Sequence, residues 1–517
     1  MITSVPRKKN SLWSSERIFT LGLCILFLGI SIQYLLKIMK PRSDGMTASA
    51  VLRWSSQITM MESGEDVHQS HQYPNAPIMA MILSPFAAIA KSSPISAALL
   101  WYYLKVLMAF LCFRWTFQMV EEPAKPISLK WKIIICILSL RPILGDLSHG
   151  NVNIFILFLI TLSLFSFVRG FDYLSGVVLG LAIACKVTPL LLFFYFIWKG
   201  AGKVILGGIA GLVLSFILLP SLWLGWDTNL HDLISWFKVM ILPYLGGSIV
   251  TPEHNNQSIP GLLSRMFSSA PSFSSFIGDR YVPLRFQNLV DIGSIGVQWL
   301  NRCAMVIFAL VIFFRCRQPI SVGNQTQTKS SIRQSWQLQT EFALILIGML
   351  MFSERTWKHH CVTLLLPFAV LGYACQSGEL SQWPRRCLTF ALGSITLLIM
   401  STSTGITNDS TSRVHALVEK SVVLGGPATI FGSFQAGLLT DSIGKQMQVY
   451  GAYVWAFIIF SVSLSWLLGI ERRANTSFVL TPESSSGKEM ISDQSAELTQ
   501  IELKKTEEIP VDRTHAA

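Results

Sequence analysis

The stretch SERTWKHHC, residues 353–361, places Arg355, Lys358, His359 and His360 within six positions between two apolar runs. Cations and imidazole N–H groups so close together could neutralise a phosphate. Trp357 could stack on a sugar face or anchor at a membrane interface, and the plainer reading is an interfacial loop with snorkelling cations. Four other segments carry groups that could join such chemistry. Asp44 follows directly on the first apolar run, where a carboxylate could act as general base for a hydroxyl acceptor; a solvated loop aspartate is the simpler alternative. In LGDLSHGNVNIF, residues 144–155, Asn151 and Asn153 open the next apolar run. One asparagine suffices to cap a helix, so the second amide is left to bind sugar hydroxyls or phosphate. Lys186 sits between two short apolar runs and precedes Val187-Thr188-Pro189, which start a helix. A lysine there either snorkels or meets an anion, and the helix N-terminus adds to the attraction. Asn256 and Gln257 lie in the polar run of PEHNNQSIPGLLSR, residues 252–265, and Tyr73-Pro74 fixes an extended entry to another apolar run. Glu65, Asp66, His68 and His71 match no metal-binding spacing, and no metal or cofactor site is expected.

The elements that must position these residues are set by composition. The 517 residues are 51% hydrophobic and only 14% charged. That is too little charge to cover a soluble surface. Repeated apolar runs predict an all-α polytopic membrane protein, because helices satisfy their own backbone in lipid. Alternating ten-residue strands of a membrane barrel are absent. A net charge of +12 sits mostly in short loops, as an orientation signal rather than a nucleic-acid site. The nine cysteines contain no CxxC pair and read as small buried residues.

About twelve spans are expected: 18–38, 96–118, 131–147, 151–168, 172–185, 187–198, 203–221, 297–314, 339–352, 361–375, 387–402 and 447–470. Basic loops place both ends of the chain in the cytoplasm. The domain so defined, 18–470, follows a short N-terminus, 1–17, and precedes a disordered tail, 471–517. The outer face then carries loops 39–95, 222–296 and 403–446, together with 144–150, Lys186 and 353–360. Residues 77–91 are short and contain Pro85; they are expected as a juxtamembrane or re-entrant helix on that face.

Taken in order, Asp44, Tyr73-Pro74 through Pro77, Gly150 to Asn153, Lys186-x-x-Pro189, Asn256-Gln257-Ser258 through Arg265, and Ser353 through His360 resemble glycosyltransferase family 87. That resemblance covers about 18–470. It implies a GT-C-type membrane fold and transfer of a hexose, mannose in several members, from a polyprenyl phosphate to a lipid-linked or glycan acceptor. It assigns Asp44 the role of base and the histidine pair a role at the donor phosphate, with His360 the preferred contact. Lys186 and Arg355 join the phosphate site, and Tyr73, Asn151, Asn153, Asn256, Gln257 and Trp357 the substrate site. A monophosphate donor does not require a metal. Two alternatives stay open. One is a transporter, although no internal repeat is visible. The other is a polymerase or ligase using diphosphate-linked donors, since 222–296 carries His231, Lys238, His254, Arg265, Arg280 and Arg285.

Overall fold

A computed structural model of the chain describes residues 15–39, 49–122, 125–246, 250–277, 280–318, 320, 333, 335–403 and 443–479. Each expected apolar run is mostly helical, although 447–470 is broken at Tyr450-Gly451 and 361–375 starts in a 3₁₀ turn. The helices are, in order, α1 (Ser15–Met39), α2 (Ala50–Glu62), α3 (Val67–His71), α4 (Pro77–Ser92), α5 (Pro94–Val120), α6 (Leu129–His149), α7 (Asn153–Val168), α8 (Asp172–Cys185) and α9 (Leu190–Trp198). Then follow α10 (Gly202–Leu224), α11 (Trp226–Trp236), α12 (Ile259–Phe267), α13 (Gly293–Arg315) and α14 (Trp336–Met351). A 3₁₀ turn, Lys358–Leu364, leads into α15 (Leu365–Gln376), and α16 (Gln382–Ser401), α17 (Ile443–Val449) and α18 (Ala452–Val479) close the series.

Among the described residues, five helices, α1, α5, α10, α13 and the Ala452–Ile470 part of α18, are long and apolar enough to cross a membrane. Shorter apolar helices, α4, α7, α8 and α14, accompany them. The chain is an integral membrane protein. Its apolar exposure fits lipid: α13 presents Ile295, Trp299, Val306, Ile307 and Phe313 outward. The interior is built from α7, α14 and α15, whose side chains are buried almost all round. Glycines set one close approach. Gly176 and Gly180 of α8 face Gly207, Gly208 and Gly211 of α10, and a Cβ on Gly176 would meet the Val204 carbonyl oxygen at 2.1 Å. Small residues four apart let the two backbones touch.

Two details differ from the sequence reading. The all-α expectation misses a two-stranded antiparallel hairpin, β1 (Phe273–Ile277) with β2 (Arg280–Arg285), in the large loop. The last helix runs to Val479, past the expected start of the tail at 471, and residues 480–517 lie outside the described residues. Loop residues 404–442 also lie outside them. The structure divides at Ser465 into a large unit and a C-terminal unit that holds the end of α18. Helix α4 has 16 residues, starts on Pro77 and packs on α2 and α5. At 1.5 Å per residue it is about 24 Å long, short of the ~30 Å hydrocarbon core.

Candidate functional site

The turn between α6 and α7 is fixed from several sides. Gly150 ends α6 with φ +67°, and a Cβ there would lie 2.0 Å from Ser49 Oγ, so both conformation and space demand glycine. Trp101 Nε1 donates to the Gly150 carbonyl at 3.0 Å. Lys37, near the end of α1, donates to the Ser148 carbonyl and hydroxyl at 3.0 and 2.8 Å.

Asp146, not an asparagine, caps α7. Its carboxylate accepts from the backbone N–H of Asn153 at 3.3 Å and of Ile154 at 3.2 Å, and from Asn153 Nδ2 at 2.9 Å. This frees Asn153 Oδ1 to accept from Lys186 Nζ at 2.7 Å. Behind Asp146 stands Lys105 of α5, donating to its carbonyl at 2.8 Å and lying 3.4 Å from its carboxylate, with both side chains fully buried. Lys105, Asp146, Asn153 and Lys186 thus form one hydrogen-bonded chain carrying two cations and one anion, an excess of one positive charge. Lys105 and Asp146 escaped the sequence reading. A lysine inside a 27-residue apolar helix is the signal that could have found them, since such a charge needs a partner.

Lys186 closes α8 and opens onto a narrow cleft of about 20 Å³, room for about one water, whose lining includes Asn153, Thr188, Ser353, Thr356 and His360. Burial lowers its ammonium to about 8. His359 and His360 are separated by the 3₁₀ turn. His359 is buried in the wall, where its Nε2 accepts from Asn151 Nδ2 at 2.8 Å, its ring is 5.1 Å from His149, and its Cβ would sit 3.5 Å from a Cβ on Gly145. Burial pushes this imidazole down to about 4, so it is neutral at pH 7. His360 lines the cleft, its ring stacked 5.9 Å from Trp357. Its Nδ1 lies 3.3 Å from the Trp357 N–H and 3.1 Å from the Arg355 carbonyl. Burial, then Lys186, holds this imidazole neutral too. A bare Nδ1 accepts from Trp357 and leaves Nε2–H as the donor to the cleft, whereas Nδ1–H donates to the closer Arg355 carbonyl and leaves Nε2 an acceptor; the tautomer decides which.

Other expected site residues are placed elsewhere. Asp44 lies outside the described residues. Arg355 is exposed and bonds Thr251 Oγ1 at 2.7 and 3.1 Å, with Glu354 at 3.5 Å; its guanidinium is not in the cleft lining. Lys358 donates to the Thr402 carbonyl at 2.7 Å. Trp357 is half-buried between Arg355 and His360. Tyr73 is fully buried against Trp54 and His68, and its hydroxyl finds no acceptor among the described residues.

Asn256 and Gln257 are likewise fully buried, and their amides are spent on the protein. Asn256 Nδ2 donates to the Thr251 and Glu354 carbonyls at 2.9 and 2.8 Å, while its Oδ1 accepts from the Thr356 N–H at 2.9 Å. Gln257 Nε2 donates to the His254 and Gln448 carbonyls at 2.6 and 2.7 Å. Arg265 is fully buried and donates to the carbonyls of Glu253, Asn256 and Val449 at 2.7, 2.8 and 3.0 Å. These residues tie the large loop to 353–360 and so hold the wall of the cleft.

Residues 73–328 match the model of glycosyltransferase family 87. Over 342 residues the chain is 24% identical to a polyprenol-phosphate-mannose-dependent alpha-(1-2)-phosphatidylinositol mannoside mannosyltransferase of Mycobacterium tuberculosis. That alignment takes in 63% of this chain and 66% of the relative, just under two thirds of its length. The match begins at Tyr73 and contains the α6–α7 turn, Asp146 and Lys186, the parts that build one side of the cleft. Residues 73–328, just under half of the chain, are thus similar to glycosyltransferase family 87.

Proposed function

We propose that this chain is a membrane glycosyltransferase that transfers a hexose, mannose by analogy with its relative, from a polyprenyl-phosphate donor to a lipid-linked or glycan acceptor, with inversion at the anomeric carbon. One observation carries the reading: Lys186 Nζ and the His360 ring share a cleft, backed by a buried chain with one surplus positive charge. Such a site favours an anion. A polyprenyl phosphate carries its anion at the membrane boundary, where this cleft lies if the helices are oriented by their basic loops with both ends inside.

In this mechanism the acceptor hydroxyl attacks the anomeric carbon while the lipid phosphate departs from the opposite face. Lys186 and His360 stabilise the charge that grows on the leaving phosphate, and Asp44 removes the hydroxyl proton. The described residues flanking Asp44 support its place in the site. Lys37 bonds Ser148, and Ser49 Oγ lies where a Cβ on Gly150 would meet it at 2.0 Å, so both flanks meet the α6–α7 turn. Four residues separate Asp44 from Ser49, a Cα reach of at most about 18 Å. The reaction asks for no metal: Asp44 supplies the base, Lys186 the charge and His360 a neutral hydrogen bond.

The test is transfer of labelled mannose from polyprenyl-phosphate-mannose in membranes containing the chain. Asp44→Asn and Lys186→Met are expected to abolish or severely slow it. Full transfer by Asp44→Asn removes the base assignment, and transfer from a lipid-diphosphate-linked sugar but not from the monophosphate donor would replace the donor class.

A further inference from the structure

Helix α11 wears its faces in reverse. Its buried side carries Asn229, Asp232 and Ser235 together with Trp236, whereas Trp226, Leu230, Ile234 and the following Phe237 are 45–59% exposed. At 100° per residue these four apolar side chains fall within an arc of about 80°. Asp227, His231 and Lys238, also exposed, border that arc on one side. A surface helix in water turns its apolar stripe inward instead.

The depth of α11 follows from what holds it. Gly225, at φ +88°, turns the chain sharply after α10. Asn229 then donates from Nδ2 to the carbonyls of Phe216 and Ile217 at 3.0 and 3.4 Å, and to Ser221 Oγ at 3.0 Å. Pro220 has no N–H to offer the Phe216 carbonyl, so Asn229 serves a group that lipid could not. The Trp236 ring also lies 5.9 Å from that of Phe216. Phe216 and Ser221 stand about 12 and 5 Å short of the end of α10 at Leu224. Helix α11 is thus folded back beside the last third of a helix long and apolar enough to span.

That position selects what covers the exposed stripe. At the same level α10 exposes Leu214, Leu218 and Leu222, so the stripe continues a lipid-facing surface. A polar border on one side only matches water above and acyl chains below. We propose that α11 is an in-plane helix seated in the leaflet where α10 ends, its apolar stripe against acyl chains and its polar border at the headgroups. From there it steadies the entry to α4. Ser235 Oγ lies 2.7 and 2.9 Å from the Asp66 carboxylate oxygens, and Trp236 Nε1 donates to the Pro74 carbonyl at 3.2 Å.

The test is a spin-label depth measurement on the full chain in phosphatidylcholine vesicles. The cysteines that are not buried are first removed by Cys24→Ala, Cys303→Ala and Cys387→Ala. Single labels are then placed through Leu230→Cys, Ile234→Cys, Asp227→Cys and His231→Cys. Power saturation with oxygen, which enters lipid, and with a water-soluble nickel chelate reads the depth of each. Labels at Leu230→Cys and Ile234→Cys are expected roughly 5–10 Å below the headgroups and favouring oxygen, with the other two favouring the chelate. The same preference at all four positions overturns the proposal, placing α11 wholly in water or wholly in the membrane core. Exclusion of both reagents from Leu230→Cys and Ile234→Cys overturns it as well, assigning the stripe to another protein segment or a second copy.

Discussion

Replacing Lys186 by methionine removes the cation of the cleft while keeping most of its apolar length. The ammonium donates to Asn153 Oδ1 at 2.7 Å and opens on the space shared with His360. An anion about 4 Å away would feel ~4 kcal/mol of attraction at an effective dielectric constant of about 20. A charge-assisted hydrogen bond contributes roughly 1.5–3 kcal/mol net of desolvation. Taking about 2–3 kcal/mol in the transition state, kcat/KM for the polyprenyl-phosphate donor should fall roughly 30- to 150-fold. Folding should be little affected, because Asn153 keeps its bond to Asp146 at 2.9 Å.

The pH dependence adds a second readout. With its ammonium lowered to about 8, Lys186 loses its proton above that pH, and kcat/KM, which reports the free enzyme, should decline there. Lys186→Arg, always charged, should remove that decline even if its geometry lowers the rate. Steady-state transfer between pH 6 and 9.5, with Tm of each variant as a folding control, checks all three statements. A Lys186→Met enzyme with unchanged kcat/KM and an unchanged pH limb would refute the phosphate role.

Asp44→Asn should slow transfer by roughly 10²- to 10⁴-fold at unchanged Tm, measured in the same assay. His360→Ala should reduce donor kcat/KM about tenfold or more with little loss of stability, whereas His359→Ala, which empties a buried wall position, should lower Tm first. Asp146→Asn leaves Lys105 buried beside a neutral amide, and about 3–5 kcal/mol of destabilisation is expected from a denaturation or thermal-shift series. Gly150→Ala combines φ +67° with a 2.0 Å contact to Ser49 Oγ, and should destabilise by at least about 1 kcal/mol and reduce activity together.

The apolar runs were legible because a spanning helix needs a long stretch of one kind of residue, and the expected runs are mostly helical, with 447–470 broken at Tyr450-Gly451. Lys186 was legible for the complementary reason: a charge between apolar segments stands out. The hairpin was harder. Gly278-Asp279 between FSSFI and RYVPLR is a turn signal, but Pro283 in the second strand argues against it. Asn256 and Gln257 show the main limit. A polar-dense loop looks the same in sequence whether its amides meet a ligand or distant carbonyls such as those of Glu354 and Gln448. Asp146 shows the converse. It caps a helix that begins seven residues later and binds a lysine 41 residues earlier, and neither partner is visible from local pattern. Residue type alone does not separate the adjacent histidines, and only the family resemblance favours His360; the 3₁₀ turn puts His360 in the cleft and His359 in its wall.

The central claim is that one cleft, with Lys186 and His360 in its lining, holds the phosphate of a polyprenyl-phosphate sugar. Its most direct test is an electron cryo-microscopy structure of the full chain with polyprenyl-phosphate-mannose bound. The expected result is phosphate density within roughly 3–4 Å of Lys186 Nζ and His360 Nε2, the sugar between that phosphate and Asp44. A headgroup resolved elsewhere on the protein, with the Lys186–His360 cleft empty, would contradict it.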